Sequence, residues 1–214
     1  MKMKGQDGNM AEQVNYREPH IVWTAIVSLF HFAQNYTAAL RAYAEVYRDK
    51  ETNAYIDISQ EALWRQLLSE ISKIYDKEAT CGKDNCSLRQ LYFSCLHHKG
   101  FPNDKNDAIL KQVDALYARY KSLFPLELRN KKIAHYDLEA MFAHEQAEIP
   151  LDDVELFIND TADILSQIGS RLFGAELANK YSDLVEKYKN SLLSIAVKGD
   201  THDQLRQIPL RRGI

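Results

Sequence analysis

An all-α fold, an up-and-down bundle of six to seven helices, is what this sequence predicts, and three observations lead there. Apolar residues recur at three- and four-residue spacing along most of the chain. No stretch longer than a few residues alternates with the period of two that marks a half-buried strand. Only eight Gly and five Pro occur in 214 residues, too few for the many turns of an all-β fold. The length suits one domain with a substantial core. Its 45% hydrophobic and 27% charged residues are normal for a globular protein in water.

Residues 1 to 18 are polar and expected to be flexible, and "MKMKGQDGNMAEQVNYREPH" has no apolar run of the kind a signal peptide needs. Pro19 suits a first helical turn and opens a helix to about Arg48. Its apolar stripe is Val22, Ala25, Ile26, Leu29, Phe32 and Ala33, continued by Tyr36, Leu40, Tyr43 and Tyr47, all read as packing residues. The longest apolar run, "IVWTAIVSLFHFA", contains Thr24, Ser28 and His31 and falls short of the ~20 residues of a membrane span, so no membrane contact is expected. "NAYIDIS" breaks this helix. Asp57 or Ser59 is positioned to cap the next, which runs to about Asp76 with Leu63, Trp64, Leu67, Leu68, Ile71, Ile74 and Tyr75 inward.

"EATCGKDNC" reads as a loop. Ser87 and Gln90 have the spacing of a capping box and open a short helix that ends at "HHKG". After the turn "FPNDKN", a helix is expected from about Asp107 to Leu123, and another from Pro125 to near His144. Pro150 restarts the chain, with Asp152 and Asp153 suited to a helix N-terminal dipole and Val154, Phe157, Ile158, Leu165, Ile168 and Leu172 as the apolar side. A last amphipathic helix spans about 176 to 195. The bundle thus occupies 19–198, followed by a basic tail over 199–214, with neither internal repeats nor low-complexity tracts.

A net charge of −3 and a pI of about 6.2 exclude global, charge-driven attraction to nucleic acid, so any such contact must come from a local patch. Three cysteines, an odd number, do not make a disulfide framework, which points to a reducing, cytoplasmic location. Cys81, Cys86 and Cys95 with His97 and His98 include zinc-ligand types, but C-x4-C followed by a distant Cys is not a recurring zinc spacing. The histidines stand just before Gly100, where cations favour a helix C-terminus. No metal and no cofactor is therefore expected. There is no Gly-rich phosphate loop, no H-E-x-x-H and no G-x-S-x-G.

One stretch stands apart: "RNKKIAHYD", residues 129 to 137. Between Arg119 and His135 lie Arg119, Lys121, Arg129, Lys131 and Lys132 against only Glu127, a local +4 that leaves −7 for the rest of the chain. Such polarisation suits phosphate, and the interleaved Tyr117, Tyr120 and Phe124 are of the type that stacks on bases. On a helical wheel His135 falls within about 40° of Leu128 and Phe142, on an apolar seam, while Arg129 lies roughly 120° away. One straight helix does not present both on a single face. If the two cooperate, the site is a cleft or a seam between two copies. Cleavage of RNA needs an acid or base near neutrality, which His supplies, and a cation for developing negative charge, which Arg supplies. The alternatives are a hydrogen-bonded core or interface His and a solvated face of cations.

Arg129-Asn130, four further residues and His135, in the second half of a helical chain, resembles the R-x(4–6)-H signature of the HEPN superfamily. "ALWRQLLSEISKIYD" and "CSLRQL" upstream extend the similarity to HEPN proteins of phage abortive infection, over roughly residues 20 to 175. The resemblance implies a homodimer whose Arg129 and His135 meet in a shared cleft, and a metal-independent endoribonuclease acting as a toxin or defence effector, with an antitoxin as a further partner. Asn130 would position the catalytic pair by hydrogen bonding. Lys131, Lys132, Arg119, Lys121 and Tyr136 would contact RNA, with Glu70 and Asp76 as weaker candidates for orienting Arg129 or His135. HEPN toxins silenced by nucleotidylation carry Tyr two residues after the His. Here Tyr136 follows at once and Asp137 is second, so that control is not implied. The alternative is a non-catalytic HEPN-like module that binds RNA, nucleotide or a partner protein.

Overall fold

A computed structural model describes residues 18–48, 54–77, 79–80, 83–97, 103–125 and 149–206. Helix α1 (Pro19–Val46) starts on the proline, as its fixed backbone angle favours. It accommodates Thr24, Ser28 and Thr37 because each hydroxyl donates to the carbonyl four residues back, at 2.8, 3.1 and 2.9 Å. Val22, Ile26, Phe30 and Ala33 are buried at helical spacing. Phe32, placed on the same stripe by the sequence, instead points outward with 54% of its surface exposed.

Helix α2 (Ala54–Ile74) begins before the expected caps. Asp57 lies in its first turn, and Ser59 lies inside, its hydroxyl donating to Tyr55 O at 2.8 Å. A Ser that bonds one turn back has no need to cap, so local capping preference was overruled here. Leu67, Leu68, Ile71, Ile74 and Tyr75 are buried, as their spacing requires. The expected loop contains a two-residue antiparallel ladder, β1 (Ala79–Thr80) with β2 (Lys83–Asp84), in the register Ala79 to Asp84 and Thr80 to Lys83.

Helix α3 (Leu88–His97) is capped by Ser87, whose Oγ accepts the Gln90 N–H at 3.2 Å. Among the described residues no return bond from the Ser87 N–H to the Gln90 side chain is formed, and Gln90 Nε2 is buried without a hydrogen-bond partner. Helix α4 (Asn103–Leu123) starts about one turn earlier than Asp107. Helix α5 (Leu151–Ile168) follows Pro150, with Asp152 and Asp153 in its first turn. It does not continue regularly through Leu172. A π-helical turn, Gly169–Phe173, ends it, closed by Gly174 at φ 62° and by the Ala175 N–H donating to Gly169 O at 3.0 Å. Gly169 is dictated by crowding: a Cβ there would stand 2.7 Å from Trp23 Cζ2 and 2.9 Å from Ala175 O.

Helix α6 (Tyr181–Arg206) starts five residues later than expected and extends eleven further. Its start is pinned by Asn179, whose Oδ1 accepts both the Tyr181 N–H (3.1 Å) and the buried Gln34 amide (3.0 Å). Helix α1 is the central element, packed on α2 and α6 and touching α3 and α5, while α4 lies against α3 and α5. The result is an all-α bundle around one core. Among the described residues, no helix is long and apolar enough to cross a membrane.

Candidate functional site

Arg129, Asn130, Lys131, Lys132, His135 and Tyr136 lie outside the described residues. The flanks of that segment are described. Helix α4 delivers the chain to Phe124 and Pro125, and Ile149 and Pro150 receive it at the start of α5.

The exit is clamped by aromatic packing. Tyr75, Tyr120, Phe124 and Phe157 form a cluster in which Tyr75 and Tyr120 stack at 5.2 Å and Phe124 meets Phe157 edge-on at 5.8 Å. Tyr120 also donates to Ser72 Oγ at 3.1 Å, tying α4 to α2. Tyr120 and Phe124, read from the sequence as rings for bases, are 2% and 1% exposed and belong to the core. Tyr117, the third of that set, stays half-buried at the surface. Buried in the same cluster, the Tyr75 hydroxyl lies 2.7 Å from Thr161 Oγ1. Because the Thr161 hydroxyl donates to Phe157 O, Tyr75 is the donor in that pair. Burial holds the Tyr75 phenol well above its usual range.

The cations before the segment divide into two kinds. Arg119 is ion-paired with Asp160 of α5 and stands 6.0 Å over the Phe157 ring. Lys121 is exposed, its Nζ 4.4 Å from the centre of the Tyr117 ring. Arg89, which the sequence did not single out, reaches the same ring from α3 at 4.9 Å and pairs with Asp114 at 3.3 Å.

The acidic candidates stand on α2 and just after it. Glu70 is 8% exposed and accepts from Lys73 Nζ at 2.8 Å. Asp76 accepts the Lys77 N–H at 2.9 Å and lines a cavity of about 420 Å³ with Ala25, Ser28, Leu29, Lys73, Asn85 and Cys86. Among the described residues no group of three or more His, Cys, Asp or Glu is arranged to hold a metal. Cys95 is buried on α3, and its thiol is pushed up to about 12 by desolvation, which makes it a packing residue. Across the bundle, Arg41 bridges Asp152 and Glu155, and Tyr181 donates to the same Glu155, joining α1, α5 and α6.

The described residues form a single-core helical bundle in which α4, with Arg119 and Lys121 near its end, leads into the segment that holds Arg129 and His135. The family model for AbiU2, a HEPN family, matches residues 18–193, and the chain belongs to that family. It is therefore an abortive-infection-type HEPN module. No curated protein and no solved structure matches it.

Proposed function

We propose that the chain is a metal-independent HEPN-type endoribonuclease, a toxin or phage-defence effector in the cytoplasm, with Arg129 and His135 of two subunits forming one active cleft. The observation that carries this reading is the AbiU2 match over residues 18–193, which brackets Arg129 and His135 at the spacing of the superfamily motif. In the reaction His135 takes the proton from a 2′-hydroxyl. The freed oxygen attacks the adjacent phosphorus and the P–O5′ bond breaks, leaving a 2′,3′-cyclic phosphate and a 5′-hydroxyl after protonation of the leaving oxygen. Arg129 offers a planar fork of donors to the phosphoryl oxygens as charge builds on them. Asn130 positions the pair.

Incubating purified protein with tRNA or total RNA tests it. Wild type in EDTA yields cleavage products, while Arg129→Ala and His135→Ala remain folded dimers that yield none. Cleavage retained by both variants refutes the assignment. A second reading is a non-catalytic module that binds RNA, nucleotide or a partner protein, and the ion pairing of Arg119 with Asp160 and the burial of Tyr120 and Phe124, which withdraw three residues from RNA contact, favour its nucleotide or protein form. It predicts salt-sensitive binding and no product.

A further inference from the structure

Helix α3 and the last third of α4 bring two cations onto one aromatic ring. The Arg89 guanidinium carbon stands 4.9 Å from the centre of Tyr117, and Lys121 Nζ 4.4 Å from the same point. Their charges are therefore no farther apart than those two distances laid end to end. At that limit, about one Debye length at 0.1 M salt, two exposed charges repel only weakly. Among the described residues only Asp114, 3.3 Å from Arg89, offsets one of them, and Lys121 has no carboxylate partner. Each attraction to the ring contributes about 0.5–1 kcal/mol at such exposed sites. An anion that reaches both heads is attracted by each.

We propose that Arg89, Tyr117 and Lys121 form a docking patch for the phosphodiester backbone of single-stranded RNA. The proposal rests on the RNA reading above and adds a site outside the catalytic pair. Phosphate fits better than a scattered acidic surface, because Arg presents paired donors to two oxygens of one group while Lys adds a point charge beside it. Placement agrees. Lys121 lies eight residues before Arg129, which bounds their separation at about 29 Å by chain length, within reach of one bound strand. Arg119 is not part of the patch, since it pairs with Asp160 and stands over the Phe157 ring rather than Tyr117.

The test is fluorescence-anisotropy titration of a labelled single-stranded RNA, run in the His135→Ala background so that turnover does not intrude. Two lost phosphate contacts lower the slope of log K against log salt by about 1.4 and weaken binding about 25-fold at 0.1 M salt, from the single-strand counterion term. Arg89→Ala/Lys121→Ala is expected to show both. A charge-matched control away from the patch, Arg171→Ala/Lys187→Ala, is expected to stay within twofold. Should the double variant not fold by urea titration, Lys121→Gln alone is expected to lower the slope by about 0.7. The proposal is overturned if the patch variant binds as its parent does, if the control loses as much, or if polyglutamate of equal charge displaces RNA as well as RNA does. The nuclease reading fails separately: loss of binding in the patch variant, with no product from wild type, removes the nuclease and keeps the patch.

Discussion

Replacing Tyr75 with Phe is expected to make the protein less stable at neutral pH and relatively more stable in alkali, with the two stability curves crossing. The phenol is buried among Tyr120 and Phe157 and donates to Thr161 Oγ1 at 2.7 Å. Losing that bond costs about 1 kcal/mol at pH 8. Burial raises the folded phenol above its usual value, so at pH 11 the native state keeps a proton that the unfolded chain, with a phenol of ordinary pKa near 10, has released. The unfolded state then binds fewer protons, and stability falls as pH rises through the unfolded pKa. The decline approaches 1.36 kcal/mol per pH unit above 10. Phe lacks it. The curves therefore meet at roughly pH 10.7, where the alkaline loss of the wild type reaches about 1 kcal/mol. Equilibrium urea unfolding between pH 8 and 11, followed by the fluorescence of Trp23 and Trp64, measures both proteins. Lysine titration is shared and cancels in the difference. Parallel curves across the range would show that Tyr75 is not the buried, proton-retaining group described.

Gly169→Ala is expected to destabilise by about 1–3 kcal/mol in the same urea assay, because the added methyl meets the Trp23 ring and the Ala175 carbonyl, and the carbonyl is backbone that has little freedom to retreat. Arg41→Ala leaves Glu155, whose side chain is 18% exposed, with only the Tyr181 hydroxyl of its present charged and hydrogen-bonded partners, and is expected to cost on the order of 2–3 kcal/mol. Adding Glu155→Gln in that background recovers part of the loss, and a double-mutant cycle reads the coupling. The Cys95 thiol, pushed up to about 12, is expected to resist alkylation at pH 8 in native protein and to react once urea is added, as mass spectrometry of the labelled peptide would show.

Legibility followed how local the determining interaction was. Pro19 and the Ser87 cap are read within one turn, and both stand where the sequence placed them. The start of α6 was missed although Asn179 precedes it, because its capping oxygen is fixed jointly by Gln34, a contact spanning 145 residues. The aromatics of α4 held their own answer. Tyr117, Tyr120 and Phe124 recur at three and four residues, the pattern of a buried stripe, and two of the three are core. Arg119 counted as free charge because its neutraliser, Asp160, is 41 residues away. Arg89 was overlooked for the converse reason: it joins Lys121 only through the packing of α3 on α4. Arg129 and His135 were read from chemistry and spacing alone, and they lie outside the described residues.

The way α6 is fastened has a dynamic consequence. Among its described side chains Val185 alone is buried and apolar. Leu184 and Leu192 are half-buried, and its polar ties are Tyr188 to Asn35 at 3.1 Å and Lys189 to Glu45 at 2.9 Å on α1, with Tyr181 to Glu155 on α5. Such contacts contribute little each in water, so α6 can part from the bundle while the aromatic centre stays closed. Its amides should exchange with solvent through a local opening far cheaper than global unfolding, and faster in high salt, as an independent cooperative unit.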